Sequence, residues 1–338
     1  MTARNMRKSE PADQRDILRD LAVSALERYD LPAGVGMQLI NLSENATYKV
    51  EAADGRKWAL RVHRYGYHSR AAIASELAWL IALRNAGVTT TPRPIAGMDG
   101  ELIQAVAHPR LPGPRHIVVS DWEGGTTPAI TEHLDGPFEI LGELTARMQR
   151  FTREWKRPAW FERHTWDFAT SLGDDAPHWG RWRHGIGVDA AKARLFGRTV
   201  ALIGRRLREF GNGAERFGLI HGDLRLANLL IDGGQVKVLD FDDSGFGWHM
   251  YDAATPVSFH EHEPQAPALI EAWLRGYRKV LPLAAADAAE IPTFIMLRRL
   301  LLVAWIGSHA DTDLAKSLGA PYTVGSLGLC EDYLRKMG

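Results

Sequence analysis

A short polar loop framed by apolar runs is the feature that most restricts how this chain can fold. The run 219–220 precedes the loop and the run 229–231 follows it, so buried backbone should fix both ends. The loop carries four polar side chains, His221, Asp223, Arg225 and Asn228. A second apolar stretch, 236–239, then delivers Asp240 close by in the sequence. The pattern predicts polar groups converging from two adjacent loops.

These side chains are of the types that phosphoryl transfer requires. The transition state spreads negative charge over the phosphoryl oxygens, so the protein contributes mainly positioning and electrostatic stabilisation. One carboxylate must orient and deprotonate the attacking hydroxyl, and a second must hold Mg²⁺ against the phosphates. A neutral oxygen suits a further metal position, because Mg²⁺ prefers oxygen ligands. Asp223, Asp240 and Asn228 supply such groups, although each could also belong to a plain turn between strands.

The pattern His221-Gly222-Asp223 followed by Asn228, and then by Leu239-Asp240-Phe241-Asp242, resembles the aminoglycoside phosphotransferase and choline kinase superfamily. That superfamily shares the protein-kinase fold, and its motifs come in this order. The resemblance implies that Asp223 is the catalytic base and that Asn228 and Asp240 bind Mg²⁺. Arg225 stands where protein kinases often carry a Lys facing the γ-phosphate, and a surface salt bridge is the alternative for it.

A kinase fold also predicts a basic residue on an N-terminal strand, paired with an acid on the following helix. The strand 58–63 supplies Arg61, and the helix 69–85 supplies Glu76. We predict that this pair directs the guanidinium toward the α- and β-phosphates. Ala59 shares a strand face with Arg61, where kinases place a small residue over the adenine. Kinases usually carry Lys in place of Arg61, and the two side chains are not interchangeable.

The phosphate-binding loop departs from the usual kinase pattern, whereas the connector to the C-terminal part matches it. The segment 41–48, where a Gly-rich loop is expected, contains no Gly, so Ser43 and Asn45 are the predicted phosphate-binding residues. Gly34-Val35-Gly36 lies too early and is predicted to be an ordinary loop. The connector with Ser120 and Trp122 matches the kinase hinge in position, and its backbone would meet the adenine edge. No Gly-x-x-x-x-Gly-Lys-Ser/Thr motif occurs, which excludes a P-loop enzyme.

The predicted architecture is an α+β, protein-kinase-like fold with two lobes and the ligand cleft between them. A β-rich N-lobe with one helix, preceded by an N-terminal helix, covers 1–119, a hinge covers 120–125, and a mainly helical C-lobe covers 126–338. Strands are expected at 47–52, 57–63, 101–107, 116–120 and, as short pieces, at 219–221, 228–231 and 236–239. Helices are expected at 16–29, 69–85, 137–151, 190–210, 267–280 and 285–308.

Composition narrows the class of partner. Lys plus Arg and Asp plus Glu are equal at 41 each, which argues against a dedicated nucleic-acid or anionic-membrane binder. The stretch Leu300–Ile306 is far shorter than the roughly 20 apolar residues of a membrane span, and no secretory signal is visible. We therefore expect a cytoplasmic monomer or homodimer, in which the one cysteine, Cys330, is an inert, half-buried thiol.

The acceptor is the least defined part of the prediction. Asp242 and Asp243 could bind a second Mg²⁺ or the substrate, or could only make local turn hydrogen bonds. Tryptophans in the C-terminal part could surround an ammonium group by cation–π contact, or could simply pack the core. His260-Glu261-His262 reads as a solvated loop, and Asp252 as a structural residue that caps a helix or holds the catalytic loop.

The leading functional prediction is transfer of the γ-phosphate of ATP or GTP to a hydroxyl of a small alcohol or amino alcohol, of the homoserine, choline or aminoglycoside kind. Among bacterial members, the chain most resembles type II homoserine kinases and the stress-response Ser/Thr kinase, which differ in acceptor. A protein Ser/Thr kinase is therefore the second reading. A nucleotide-binding pseudokinase regulator is a third interpretation. A fourth is a metal-dependent hydrolase built on His221, Asp223, Asp240 and His249.

Overall fold

The computed structural model describes residues 11–43 and 45–338. Residues 1–10 of the predicted N-lobe, and Glu44 in the predicted phosphate-binding turn, lie outside this described part. The fold is α+β, with an antiparallel sheet first and a mainly helical remainder, which confirms the predicted fold class. The chain divides into two compact units. The first comprises the described residues through Leu77 with Pro92–Glu123, and the second comprises Ala78–Thr91 with Gly124–Gly338.

The helices are α1 (Pro11–Leu26), α2 (Arg70–Asn85), α3 (Asp135–Glu154), α4 (Phe168–Leu172), α5 (Ala190–Phe210), α6 (Tyr251–Ala254), α7 (Ala266–Arg278), α8 (Ala285–Ala288), α9 (Ile291–Ser308) and α10 (Asp313–Met337). The strands are β1 (Gly36–Leu42), β2 (Ala46–Glu51), β3 (Lys57–Val62), β4 (Pro94–Ile95), β5 (Gln104–Val106), β6 (Arg115–Asp121), β7 (Thr165–Trp166), β8 (Phe217–Ile220), β9 (Leu229–Asp232), β10 (Gln235–Val238) and β11 (Gly245–Trp248).

An antiparallel sheet in the order β1-β2-β3-β6-β4, with β5 also on β6, forms the first unit. Apolar side chains alternate along β2 and β3, and the buried set packs against α1. Gly55 takes a φ of +86° in the turn that joins these two strands. The first strand was not predicted: Gly36 begins β1 and is not part of a loop, because this edge strand alternates only weakly between exposed and half-buried positions.

Helix α2 has the predicted bounds because its cap and its end are encoded locally. The Ser69 hydroxyl accepts the Ala72 backbone N–H over 3.0 Å, and Gly87 adopts a φ of +65° just beyond the helix. The division between the two units falls inside this helix, after Leu77.

The second unit contains one close contact between two helices and one largely buried helix. Helices α3 and α7 approach closely because each places a glycine at the contact. A Cβ on Gly142 would lie 1.9 Å from the Trp273 carbonyl oxygen, and one on Gly276 would lie 1.7 Å from the Glu139 carbonyl oxygen. Helix α9 is buried along nearly its whole length. The strands β7-β11-β8 form a small sheet, and its strand β8 ends directly before the polar loop.

The C-terminal helices differ from the sequence prediction. The single helix expected at 285–308 is two helices, α8 and α9, and Pro292 occupies the first turn of α9, where its missing N–H has no cost. Helix α10 was not predicted, because Gly319 kinks it with φ +46° and Pro321 follows. Within the described residues, the segment 285–308 is long and apolar enough to cross a membrane, but 78% of its most apolar window is buried in the fold, as in a core helix.

Candidate active site

The loop between β8 and β9 is held by a carboxylate from α6. Asp252 accepts the backbone N–H groups of His221 over 2.9 Å and of Gly222 over 2.8 Å. Thr255 adds a hydrogen bond from the Leu224 N–H over 3.0 Å. Gly222 has a φ of +80°, and a Cβ there would lie 2.8 Å from the Asp243 carbonyl oxygen, so only glycine fits. Asp252 thus holds the loop, the second of the structural roles predicted for it.

His221 fixes the loop from inside. Its ring is buried, its Nε2 lies 3.0 Å from the Leu239 carbonyl oxygen, and it packs against Phe241 at a ring-centroid distance of 4.4 Å. Burial lowers the pKa of His221 to about 4 despite the nearby Asp223. The imidazole is therefore neutral at pH 7, which suits a structural residue better than a proton carrier.

Asp223 is buried and is surrounded by donors. Arg298 donates to its Oδ1, while Arg225 Nε at 3.1 Å and Asn228 Nδ2 at 2.7 Å donate to its Oδ2. Burial by itself would raise the pKa of Asp223, but the Arg298 and Arg225 cations outweigh it and hold that pKa below the ordinary value. The carboxylate is ionised at pH 7, as a general base must be. Arg225 forms an ion pair with this carboxylate, and its contact with the γ-phosphate stays a prediction.

The two predicted metal ligands are brought together by one backbone hydrogen bond. The Leu239 N–H donates to the Asn228 carbonyl oxygen over 2.8 Å, which places Asp240, the next residue, beside Asn228. Asp240 has a φ of +57°, in the left-handed region that non-glycine residues seldom adopt and that is frequent at functional sites.

Asn228 and Asp240 fit a divalent cation by their donor chemistry. The Asn228 amide nitrogen donates to Asp223, so Asn228 would offer its Oδ1 to a cation, and Asp240 would offer its carboxylate. Oxygen is the donor that Mg²⁺ and Ca²⁺ prefer. Over residues 11–43 and 45–338, no group of three or more His, Cys, Asp and Glu side chains is arranged to hold a metal ion. In kinases the nucleotide phosphates complete the coordination.

The turn that carries Asp242 and Asp243 is fixed through its backbone. Arg163 donates to the carbonyl oxygens of Asp242 and Ser244, and Trp166 Nε1 donates to that of Asp243 over 2.7 Å. The Asp242 side chain is buried and the Asp243 side chain is partly exposed. The predicted metal-binding or substrate-binding roles of these two carboxylates stay predictions.

Arg298 is a site residue that the sequence reasoning missed. It lies on α9, 75 residues beyond Asp223 in the chain, and is 2% exposed. The available signal was the pair Arg298-Arg299 inside the apolar run 294–306, because a buried charge must find a partner. Its neighbour Arg299 pairs with Glu261 at 2.7 Å, and the Glu261 side chain is 1% exposed, so the solvated-loop reading was wrong for Glu261.

The predicted nucleotide residues of the first unit lie on adjacent elements. Arg61 on β3 contacts Glu76 on α2, with 3.4 Å between Nη1 and Oε1. Ala59 and Ser120 are direct cross-strand partners on β3 and β6, and the Trp122 N–H donates to the Lys57 carbonyl over 3.3 Å. The contact between Arg61 and Glu76 is the one expected, and the part of each residue in nucleotide binding stays a prediction.

The predicted phosphate turn is the bend between β1 and β2. The Ser43 N–H donates to the Asn45 carbonyl oxygen over 3.0 Å, which closes the bend. The Asn45 side-chain oxygen accepts the Arg64 N–H over 3.1 Å, and Asn45 is buried. Asn45 therefore ties the bend to the end of β3, and phosphate binding by Ser43 and Asn45 stays a prediction.

Two features are typical of protein-kinase-like phosphotransferases. The antiparallel sheet carries Arg61, which pairs with Glu76 on the following helix, and the helical unit carries a His-Gly-Asp loop that Asp252 holds in place. The chain belongs to the phosphotransferase enzyme family, whose sequence profile matches residues 37–286. It is therefore a kinase, and the resemblance inferred from the sequence motifs is confirmed.

Three relatives illustrate the similarity. A solved structure of a microcompartment-associated aminopropanol kinase is 43% identical, with a TM-score of 0.87, and the match covers 95% of this chain and 98% of the other. Amicoumacin kinase of Bacillus subtilis is 24% identical over 282 residues, 77% of this chain and 76% of its own. A solved amicoumacin kinase bound to AMP-PNP, Ca²⁺ and Ami shares the fold, at 20% identity and a TM-score of 0.76, covering 96% and 95% of the two chains.

Proposed function

We propose that this kinase transfers the γ-phosphate of ATP, bound as its Mg²⁺ complex, to the hydroxyl of a small amino alcohol. The observation that carries the proposal is the likeness to the aminopropanol kinase, at 43% identity over 95% of the chain. An acceptor of this class carries a hydroxyl and, at pH 7, an ammonium group. The site must therefore place a base beside the hydroxyl and a negative charge beside the ammonium group.

Asp223 is the base in this proposal. Its carboxylate is buried, ionised and held by three donors, so it can accept the proton of the acceptor hydroxyl without first reorienting. Mg²⁺ at Asn228 and Asp240 would neutralise charge on the phosphates. Arg61, oriented by Glu76, would contact the α- and β-phosphates.

Asp243 is the carboxylate we assign to the acceptor ammonium. It acts electrostatically on Arg298, which contacts the base, and on Tyr251, whose hydroxyl accepts a hydrogen bond from Arg298. The Asp243 side chain is partly exposed. The Arg298 cation is already neutralised by Asp223, so a second carboxylate is needed to attract a cationic acceptor. A cytoplasmic location and a monomeric or homodimeric state remain predictions beside this proposal.

The test uses acceptors that differ only in charge. Phosphorylation of 1-amino-2-propanol and of propane-1,2-diol by Mg-ATP is followed by ³¹P NMR. We expect kcat/KM to favour the amine by at least about tenfold, the effect of ~1.4 kcal/mol of charge attraction, and Asp243→Asn to remove most of that preference. Equal use of the diol would refute the amino-alcohol assignment. Labelling of the protein itself, with no alcohol phosphorylated, would favour the protein-kinase alternative.

A further inference from the structure

The Arg298 guanidinium is fixed at several points inside the second unit. Its Nε donates to the Ser258 hydroxyl over 3.1 Å, and its Nη1 donates to the Tyr251 hydroxyl over 3.2 Å. Its Nη2 donates to Asp223, and the ring of Trp179 lies 5.3 Å from its Cζ. A planar fork with this many partners has one orientation, so the direction from which it approaches Asp223 is fixed.

The donors around Asp223 are unequally divided between its two oxygens. Oδ2 accepts two hydrogen bonds, from Arg225 and Asn228, whereas Oδ1 accepts one, from Arg298. A carboxylate offers about four acceptor positions, two on each oxygen. The three donors found among the described residues therefore leave the remaining position on Oδ1, directly beside the Arg298 guanidinium.

We propose that Arg298 is a positioning residue for phosphoryl transfer: it turns the Asp223 carboxylate so that Oδ1 receives the proton of the acceptor hydroxyl. The inference rests on the proposed base role of Asp223. In the reacting complex the hydroxyl donates its proton to Oδ1 as its oxygen forms the bond to the γ-phosphorus, and the bond from phosphorus to the leaving ADP oxygen breaks. Arg298 acts on this step through Asp223 and exchanges no proton.

The chain supplies a matched control at the next position. Arg299 lies on the same helix, is equally buried at 2% exposure, and also has a carboxylate and a serine as partners, Glu261 at 2.7 Å and Ser326 at 2.8 Å. Its carboxylate partner is not the base. The same substitution at 298 and at 299 therefore separates the loss of a buried guanidinium from the loss of control over Asp223.

The experiment measures kcat, KM for ATP and nucleotide binding for Arg298→Lys and Arg299→Lys, at a temperature where both are folded. Lysine keeps the charge but cannot reach Ser258, Tyr251 and Asp223 together. We expect kcat to fall about tenfold or more for Arg298→Lys and about 10²-fold for Arg298→Met, in the range found when one oriented donor is removed. We expect nucleotide binding to change less than about threefold, and Arg299→Lys to keep kcat within about threefold.

Ser258→Ala provides a second route, because it removes one hydrogen bond and no charge. If Ser258 acts through Arg298, the substitution lowers kcat severalfold in the wild type and has no further effect in the Arg298→Met background. Equal losses of kcat for Arg298→Lys and Arg299→Lys, or an additive Ser258 effect, would overturn the proposal. In this experiment kcat is measured with whichever alcohol the wild type phosphorylates. A wrong acceptor assignment would therefore refute the proposed function but would not affect the comparison of the Arg298 and Arg299 variants.

Discussion

The side-chain amide of Asn228 spans the base: its Nδ2 lies 2.7 Å from Asp223 Oδ2 and 2.9 Å from the Asp223 carbonyl oxygen. With its nitrogen fixed on both sides by Asp223, the amide must direct its Oδ1 away from the base. The predicted base and the predicted metal ligand are therefore one rigid unit. A change at either residue should be felt by the other, which the following variants can resolve.

Removal of the base should separate chemistry from nucleotide binding. Asp223→Ala should lower turnover by about 10²–10⁴-fold, the usual contribution of a general base, while Mg-nucleotide binding stays within about tenfold. Asp223→Asn is the companion variant, because it keeps the volume beside the buried Arg298. Single-turnover transfer and calorimetric nucleotide binding are the measurements. Transfer at the wild-type rate in either variant would remove Asp223 from the base role.

Loss of Asp240, a predicted metal ligand, should increase the Mg²⁺ concentration that the enzyme requires. Asp240→Ala removes a carboxylate oxygen next to Asn228, so we expect the Mg²⁺ concentration for half-maximal activity to rise at least about tenfold. Nucleotide binding without Mg²⁺ should not change, which provides the internal control. An unaltered Mg²⁺ titration would show that Asp240 is not a ligand.

Substitution of Arg61 should weaken nucleotide binding. Its guanidinium is held by Glu76 at 3.4 Å, so Arg61→Ala should raise KM for ATP by about tenfold, through loss of a charged hydrogen bond of ~1.5 kcal/mol. Arg56→Ala, in the turn between β2 and β3, removes an exposed arginine that pairs with Asp54, and it should leave KM unchanged. Equal effects of the two substitutions on KM would argue against a phosphate contact by Arg61.

The buried pair of Arg299 and Glu261 should be a large contributor to stability. Glu261→Gln leaves the Arg299 cation buried without its counter-ion, which we expect to cost about 3–5 kcal/mol in the free energy of unfolding. Arg299→Met combined with Glu261→Gln should recover part of this loss, because no buried charge remains. Urea unfolding of the three variants gives the values, and a single-variant loss below about 1 kcal/mol would contradict the prediction.

His249 should make the protein sensitive to mild acid. Burial lowers the pKa of His249 to about 4, whereas the unfolded chain binds that proton near pH 6.5. Between pH 6.5 and 4 the unfolded state therefore holds more protons, so stability falls as the pH falls through this window. His249→Leu should reduce the loss by up to about 3 kcal/mol. Parallel stability–pH curves for the two proteins would exclude His249 as the source.

Local sequence determined the elements whose residues are close in the chain. Ser69 and Gly87 bound α2, the turn at Gly55 joins two alternating strands, and the catalytic loop with Asp240 lies within about 20 residues. Over such short separations, chain connectivity and the burial of the flanking apolar runs restrict where the polar groups can go. The phosphotransferase chemistry was therefore predictable from one segment.

Tertiary structure decided which distant charges are buried and what they contact. Arg298 contacts Asp223 from a helix 75 residues further along the chain. Glu261 is buried in an ion pair with Arg299. The sequence shows two arginines in an apolar helix. Which carboxylate each arginine contacts depends on how α9 packs against α6 and α10. Desolvation and partner distance arise from that packing, so the ionised, oriented state of the Asp223 carboxylate is a property of the assembled fold.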